Sequence, residues 1–303
     1  MLIRYLWLLT LLSFLSASAS AAPRVVVSIT PLHSLVAGVM AGVAEPELLV
    51  KGAASPHSYL LKPSQLQTLQ QAELIIWNSE SVESFLPRAL RSLDAQVPVI
   101  KLILLPGMTL LPTRLGGLWV DQKEAGPHAH HGDSIDGHLW LDPANAKVMV
   151  AAVTTALSEI DPLHAVQYRH NSEGILQQLD GLTHELNDLL APTRDIPYLV
   201  FHDGYHYFEA RFHLNAIGAI SVDPERKPGA KRLRELTAMI QQRQVHCLFS
   251  EPQYPSSTVQ SIVAGSEVKS GVLDPLGSTL PPGPELYFSL MRNLSKSLAE
   301  CLQ

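Results

Sequence analysis

The sequence lacks the features typical of nucleic-acid-binding and nucleotide-hydrolysing proteins. Its 303 residues carry a formal net charge of −6, and no stripe of Lys and Arg interrupts that acidic balance. Binding to DNA or RNA is therefore not expected. Neither GxxxxGK[ST] nor a glycine-rich dinucleotide fingerprint occurs, so no nucleotide site is predicted in this chain. The hydrolase motifs HExxH and GxSxG are missing as well.

Long apolar runs are absent beyond the N-terminus. Residues 1–22 combine an early Arg4, an apolar core from Tyr5 to Leu15 and the small-residue run Ala19-Ser20-Ala21, which is typical of an export signal. That core is shorter than the roughly 20 residues of a membrane-spanning helix. We expect a signal peptide cleaved near residues 19–22 and no stable membrane insertion; a retained signal anchor is the alternative. No lipid-attachment cysteine follows the signal, which favours a freely diffusing protein.

Cysteine is scarce. Only Cys247 and Cys301 occur, and an oxidising, exported setting favours a disulfide over free thiols or metal ligands. Such a bridge would join the last predicted helix to a strand. The chain-entropy model gives it about 4 kcal/mol for a loop of this length.

Short β-branched runs alternate with helical patterns through the rest of the chain. Strands are predicted at 24–29, 47–50, 73–77, 197–201, 245–250 and 268–273, and later helices at 230–242, 256–264 and 284–301. The two early helical patterns, PLHSLVAGVMAG and PSQLQTLQQ, each open with proline. This alternation indicates βα units around parallel sheets. We predict an α/β fold with two pseudo-symmetric lobes, each a small parallel sheet flanked by helices.

A long, rigid helix is predicted between the lobes. Asp161 can cap it, Pro162 can open it, and the pattern continues to Leu190. Apolar residues recur at Ile175, Leu179, Leu182, Leu186 and Leu189. The predicted organisation is a signal peptide at 1–22, an N-terminal lobe at 23–141, inter-lobe helices at 142–193 and a C-terminal lobe at 194–303.

Three histidines and one aspartate lie just past separate apolar segments. They are His57 in SPHSYLLKPS, His138 in DGHLWLDPANA, His202 in YLVFHDGYHYF and Asp274 in GVLDPLG. Because ligand crevices of open α/β sheets form at the carboxyl ends of strands, these side chains are predicted to meet. Imidazoles with at most one carboxylate suit zinc. A single histidine in a loop is more often solvated than bound to a metal. The prediction therefore rests on the shared position of the three histidines at the ends of apolar segments.

Five ordered segments, SPHSYLLKPSQLQTLQQAELIIWN, GHLWLDPANA, FHDGYHYFE, FSEPQYPSSTV and LDPLG, resemble those of the zinc-binding periplasmic proteins of zinc ABC transporters, the cluster A-I metal-binding family. The resemblance covers essentially the whole mature chain. It implies that His57, His138 and His202 are the ligands of Zn²⁺. Manganese-type relatives carry a glutamate at the position of His202, so histidine there favours zinc.

The remaining ligand candidates are less well defined. The resemblance places Asp274 at the position of a fourth ligand, with water, another carboxylate or a simple turn residue as alternatives. Glu251, just past a strand in FSEPQ, is an auxiliary candidate whose alternative role is in a buried hydrogen-bond network. The loop EAGPHAHHGDSIDG carries His128, His130 and His131. It is interpreted as an auxiliary capture site or as a solvated loop.

The resemblance implies a non-enzymatic carrier in the periplasm. Such a protein binds Zn²⁺ between its lobes and delivers it to an inner-membrane ABC permease driven by a cytoplasmic ATPase. A monomer is expected. The alternative from another class is an exported zinc-dependent hydrolase or hydratase, since three histidines and a water also form a catalytic site. Asp203 and Glu251 would be its general-base candidates. An adhesin or metal-buffering protein of the same fold is a third reading.

Overall fold

The computed structural model describes residues 22–114, 117–119, 134–221, 225 and 228–303. Its strands are β1 Val25–Val27, β2 Glu47–Leu48, β3 Leu74–Trp77, β4 Val99–Lys101, β5 Tyr198–His202, β6 Ala216–Ser221, β7 Cys247–Ser250 and β8 Lys269–Val272. Its α-helices are α1 Thr30–Val39, α2 Pro63–Gln70, α3 Leu86–Leu90, α4 Pro143–Ile160, α5 Ala165–Leu190, α6 His206–Phe212, α7 Ala230–Arg243, α8 Ser257–Val263 and α9 Leu286–Leu302. The predicted signal peptide lies outside the described residues, apart from Ala22.

The strands form two four-stranded sheets of the same topology. One has the order β2-β1-β3-β4 and the other β6-β5-β7-β8, and every pairing within them is parallel. The second half of the chain therefore repeats the strand order of the first, which confirms the predicted pseudo-symmetric α/β fold. The predicted boundaries at 141 and 193 stay predictions. None of the described helices is long and apolar enough to cross a membrane.

Helix α5 runs between the two sheets but begins later than predicted. Asp161 ends helix α4, with its backbone N–H donating to the carbonyl of Leu157, and a turn follows before α5 starts at Ala165. The 26 residues of α5 span about 39 Å at 1.5 Å per residue. Its buried stripe ends at Leu190, which is fully buried, whereas Leu189, predicted to lie on that stripe, is 39% exposed.

The halves share one core. A single cluster of buried side chains contains residues of both sheets, such as Val25 and Val200, together with Leu179 and Leu186 of α5. Helix α5 packs on α1, α4 and α9. The indole N–H of Trp140 also donates to the carbonyl of Pro275 at 2.8 Å. Because the packing is continuous, relative movement of the lobes would break apolar contacts along the whole helix.

A disulfide joins Cys247, the first residue of β7, to Cys301 in α9, with the Cα atoms 6.1 Å apart. The predicted bridge and its position between the last helix and a strand are confirmed. Together the sheets place the carboxyl ends of β3, β5 and β7 toward one region of the molecule, where the candidate site lies.

Candidate metal centre

His57, His138 and His202 converge although 145 positions of sequence separate the first from the last. Their candidate ligand atoms all lie within 4.8 Å of one another. The ring centroids are 5.5 Å apart for His57 and His138, 5.7 Å for His57 and His202, and 5.1 Å for His138 and His202. His138 and His202 are buried, whereas His57 is partly exposed. This group can hold a metal ion.

Each histidine reaches the site from the end of a different chain segment. His202 is the last residue of β5, so its direction follows from the strand. His138 precedes a short 3-10 turn that leads into α4. His57 lies in the loop between β2 and α2. The carboxyl end of β5 and the two segments that carry His57 and His138 thus meet at one crevice, as expected for open α/β sheets.

The hydrogen bonds fix which ring nitrogen is free. Nδ1 of His138 lies 2.7 Å from a carboxylate oxygen of Asp136, and Nδ1 of His202 lies 2.7 Å from one of Glu251. Nδ1 of His57 lies 3.2 Å from the carbonyl oxygen of Ser81. A carboxylate or carbonyl oxygen accepts, so each Nδ1 carries the hydrogen and donates it. Every Nε2 therefore presents a lone pair, the arrangement typical of metal-ligating histidines.

The distance between two of these lone pairs matches zinc. The Nε2 atoms of His138 and His202 are 3.3 Å apart. Two nitrogen ligands at about 2.0–2.1 Å from a tetrahedral zinc ion are about 3.3–3.4 Å apart. Two neutral imidazoles whose lone pairs face each other at that distance repel, and a cation between them removes the repulsion.

The surroundings shift the pKa values of His57 and His202 in opposite directions. Burial, together with the neighbouring His138 and His202, lowers the pKa of His57 to about 3. Burial also acts to lower the pKa of His202, but the charge and hydrogen bond of Glu251 outweigh burial and raise it. Burial would raise the pKa of Asp136, but His138 outweighs that effect and the pKa is lowered. Asp136 is thus an anion that supports a cation bound at His138.

Asp274 and Glu251 have well-defined partners. Asp274 accepts from the side-chain amide of Gln253 at 2.9 Å, from the backbone N–H of Leu276 at 3.1 Å, and from the backbone and hydroxyl of Ser278 at 2.6 and 2.8 Å. It is not part of the group of three found among the described residues. Glu251 lies behind His202, on the side of Nδ1. The ligand role predicted for Asp274 stays a prediction, as does that of Glu251.

Two cavities adjoin the histidines. One, of about 10 Å³, is lined by the three imidazoles with Trp140 and Tyr254 among its neighbours. Such a volume accommodates about one water-sized particle. The other, of about 240 Å³, is lined by the same imidazoles together with Arg114 and Asp203. The smaller cavity suits a single ion rather than an organic molecule.

An ion pair closes one side of the larger cavity. Arg114 donates from Nε to both oxygens of Asp203 at 3.0 Å and from Nη1 to Glu209 at 2.6 Å, and its guanidinium stacks on Trp119 at 3.3 Å from the ring centre. Asp203, the residue after His202, is therefore engaged by a cation. The predicted auxiliary histidines His128, His130 and His131 lie outside the described residues.

Asp136 and Ser81 contact the candidate ligands but are not among the residues predicted from the sequence. Asp136 stands two residues before His138, and an acid at that spacing is a usable signal for a carboxylate that supports a histidine ligand. No sequence pattern could identify Ser81, because it acts through its backbone carbonyl and every residue type has a backbone carbonyl.

Comparison with known proteins gives concordant results. The model of a family described as zinc-uptake complex component A, periplasmic, matches residues 25–301. The high-affinity zinc uptake system protein ZnuA of Brucella abortus (strain 2308) is 40% identical over 313 residues, covering 95% of this chain and 94% of the relative. The ZnuA of Yersinia pestis is 35% identical over 296 residues, covering 93% and 92%.

Solved structures agree in fold. A crystal structure of ZnuA aligns with a TM-score of 0.78 at 24% identity and covers 93% of this chain and 100% of that one. A ZnuA deletion mutant with zinc bound aligns with a TM-score of 0.77 at 25% identity, covering 93% and 98%.

Proposed function

Since the chain belongs to the ZnuA family of periplasmic zinc-uptake components, we propose that it binds Zn²⁺ through Nε2 of His57, His138 and His202 and delivers it to a membrane permease for import. The protein is a binding component of a high-affinity zinc-uptake system and not an enzyme. One observation supports the ligand set above all. Three buried or half-buried imidazoles converge within 4.8 Å while an acceptor oxygen holds each Nδ1, so that Nε2 is the ligand atom of each neutral imidazole.

The geometry disfavours the hydrolase alternative. Of the two general-base candidates, Asp203 is paired with Arg114 and Glu251 accepts from Nδ1 of His202. Asp203 is thus held in an ion pair, and Glu251 lies on the Nδ1 side of His202, away from the Nε2 atoms at which a metal-bound water would lie. The proposed partners, a permease with a cytoplasmic ATPase, follow from membership in a zinc-uptake complex, because the chain carries no nucleotide-binding motif.

The test is a zinc titration of the purified mature protein against a competing chelator. We expect one tightly bound ion per chain at about pH 7.5 and weaker binding as the pH falls. Zinc must displace the proton of His202, whose pKa is raised by Glu251. Below that pKa, each displaced proton weakens apparent binding by up to about tenfold per pH unit. His57, with a pKa of about 3, stays neutral over the same range.

Zinc affinity that stays constant down to about pH 5 would contradict histidine ligation. Hydrolysis of ester or phosphate substrates, or hydration of carbon dioxide, by the zinc-loaded protein would contradict the carrier function. A parallel titration with Mn²⁺ is the control for ligand type, because manganese prefers oxygen ligands and should bind more weakly.

Replacing Glu251 by glutamine is expected to weaken zinc binding by about 10- to 100-fold, the usual cost of losing a partner behind a ligating histidine. The amide keeps the shape but removes the negative charge that holds Nδ1–H of His202 at 2.7 Å. Competition titration measures the change. Glu185→Gln is the matched control, since Glu185 pairs with Arg292 on the half-exposed surface of α5. Equal zinc affinity in the two variants would exclude the orienting role of Glu251.

A further inference from the structure

Glu83 is a fully buried acid that touches none of the three imidazoles. Its side chain, 0% exposed, lies just past β3 and accepts three hydrogen bonds. The backbone N–H of Asn78 donates to Oε1 at 3.1 Å, that of Ser79 donates to Oε2 at 3.0 Å, and the hydroxyl of Ser28 donates to Oε1. Burial raises its pKa to about 7. A carboxyl group in such surroundings is costly unless its hydrogen bonds are well made.

These donors come from the carboxyl ends of two neighbouring strands. Ser28 follows β1, and Asn78 and Ser79 follow β3. Glu83 therefore holds the loop 78–81 against the edge of the N-terminal sheet. The backbone of the loop cannot shift without leaving a buried acceptor or donor unpaired.

The loop 78–81 contacts His57 directly and contacts Gly137, the residue before His138. The carbonyl of Ser81 accepts from Nδ1 of His57 at 3.2 Å. The side-chain amide of Asn78 donates to the carbonyl of Gly137, the residue before His138. A Cβ atom built on Gly137 would lie 2.3 Å from the hydroxyl oxygen of Ser81 and 2.7 Å from that of Ser79. The backbone before His138 thus rests directly on this loop.

We propose that Glu83 is a positioning residue of the zinc site, which fixes the loop 78–81 and through it the orientation of His57 and His138. In the C-terminal half, Glu251 follows β7, the counterpart of β3 in the strand order, and bonds His202 directly. Each half thus has a buried carboxylate beyond the equivalent strand. The inference rests on the proposed zinc function, since it concerns the same three ligands.

The test compares Glu83→Gln with the wild-type protein and with Asp161→Asn. Glutamine keeps one acceptor oxygen but turns an NH₂ group toward an N–H or O–H donor. We expect about tenfold weaker zinc binding, at the lower end of the range for supporting residues because Glu83 acts through a loop. We also expect altered visible absorption bands of the Co²⁺-loaded protein, which report coordination geometry. Asp161 is equally a buried carboxyl, bonded to His164 and Tyr168 at the start of α5, and its variant should lose stability only.

A second variant, Asn78→Ala, removes the bond to Gly137 while leaving Glu83 and its backbone donors in place. If Glu83→Gln does not fold, Asn78→Ala tests whether the loop 78–81 positions the histidines. Weakened zinc binding with a changed Co²⁺ spectrum supports the inference. Zinc binding within about twofold of wild type in the folded variants overturns it, whatever their stability. A wild-type protein that binds no stoichiometric zinc would overturn the proposed function instead, so the two failures are distinct.

Discussion

Replacement of His138 by alanine is expected to weaken zinc binding by roughly 10²- to 10³-fold. Zinc sites with about four protein bonds have apparent binding free energies of about 10–16 kcal/mol, or about 2.5–4 kcal/mol for each bond, and 1.4 kcal/mol corresponds to a factor of ten. Loss of the His138 ring also removes one Nε2 of the 3.3 Å pair with His202. It removes the Nδ1 donor of Asp136 as well, although the backbone N–H of residue 138 still donates to that carboxylate. Metal analysis and chelator competition measure the effect, and circular dichroism checks the fold.

His33→Ala is the matched control for the loss of a buried imidazole. His33 is 5% exposed, lies in α1 and bonds the carbonyl of Pro46 at 2.9 Å, and it lines neither of the two cavities beside the three histidines. Its variant should lose stability while retaining one tightly bound zinc ion. The same experiment on His57 and His202 tests whether the three form one site. Any of the three variants that keeps tight zinc would remove that residue from the ligand set.

The double replacement of Cys247 and Cys301 by alanine is expected to lower the free energy of unfolding by about 4 kcal/mol. The bridge closes a loop with a sequence separation of 54, and the unfolded chain regains the entropy of that loop when the bridge is removed. Alanine is the better replacement because both positions are buried and a serine hydroxyl would need a partner there. Denaturant unfolding of the zinc-free protein measures the change.

Zinc affinity should be unchanged in the same double variant. Cys247 begins β7, whereas Glu251 follows its other end, about 13 Å away along a strand of this length. The bridge therefore stabilises the packing of α9 on the C-terminal sheet without reaching the histidines. A loss of stability below about 1 kcal/mol would show that native packing, rather than the cross-link, holds α9 in place.

Most strands and helices could be predicted from local pattern, and the exceptions have tertiary causes. Strand β6 contains Gly218, and a glycine weakens a strand pattern. Glycine fits here because Leu118 forms a β-bridge with Gly218. A Cβ atom at Gly218 would lie 2.8 Å from the carbonyl oxygen of Gly117. Strand β4 has only three residues, is partly exposed, and follows directly on Pro98, which weakens a strand pattern. Helix α5 begins at Ala165 because Asp161 is already engaged by His164 and Tyr168.

The kinds of candidate ligand and their positions at the ends of separate segments could be inferred from the chain alone, because parallel βα units bring strand ends to one edge. The ring nitrogen that each histidine leaves available to a metal ion follows from the packed fold. That choice depends on Asp136, Glu251 and the carbonyl of Ser81, and two of these three acceptors are remote in sequence from the histidine they hold. Hydrogen bonds between remote segments form only when the sheets are packed, so no local pattern could record them.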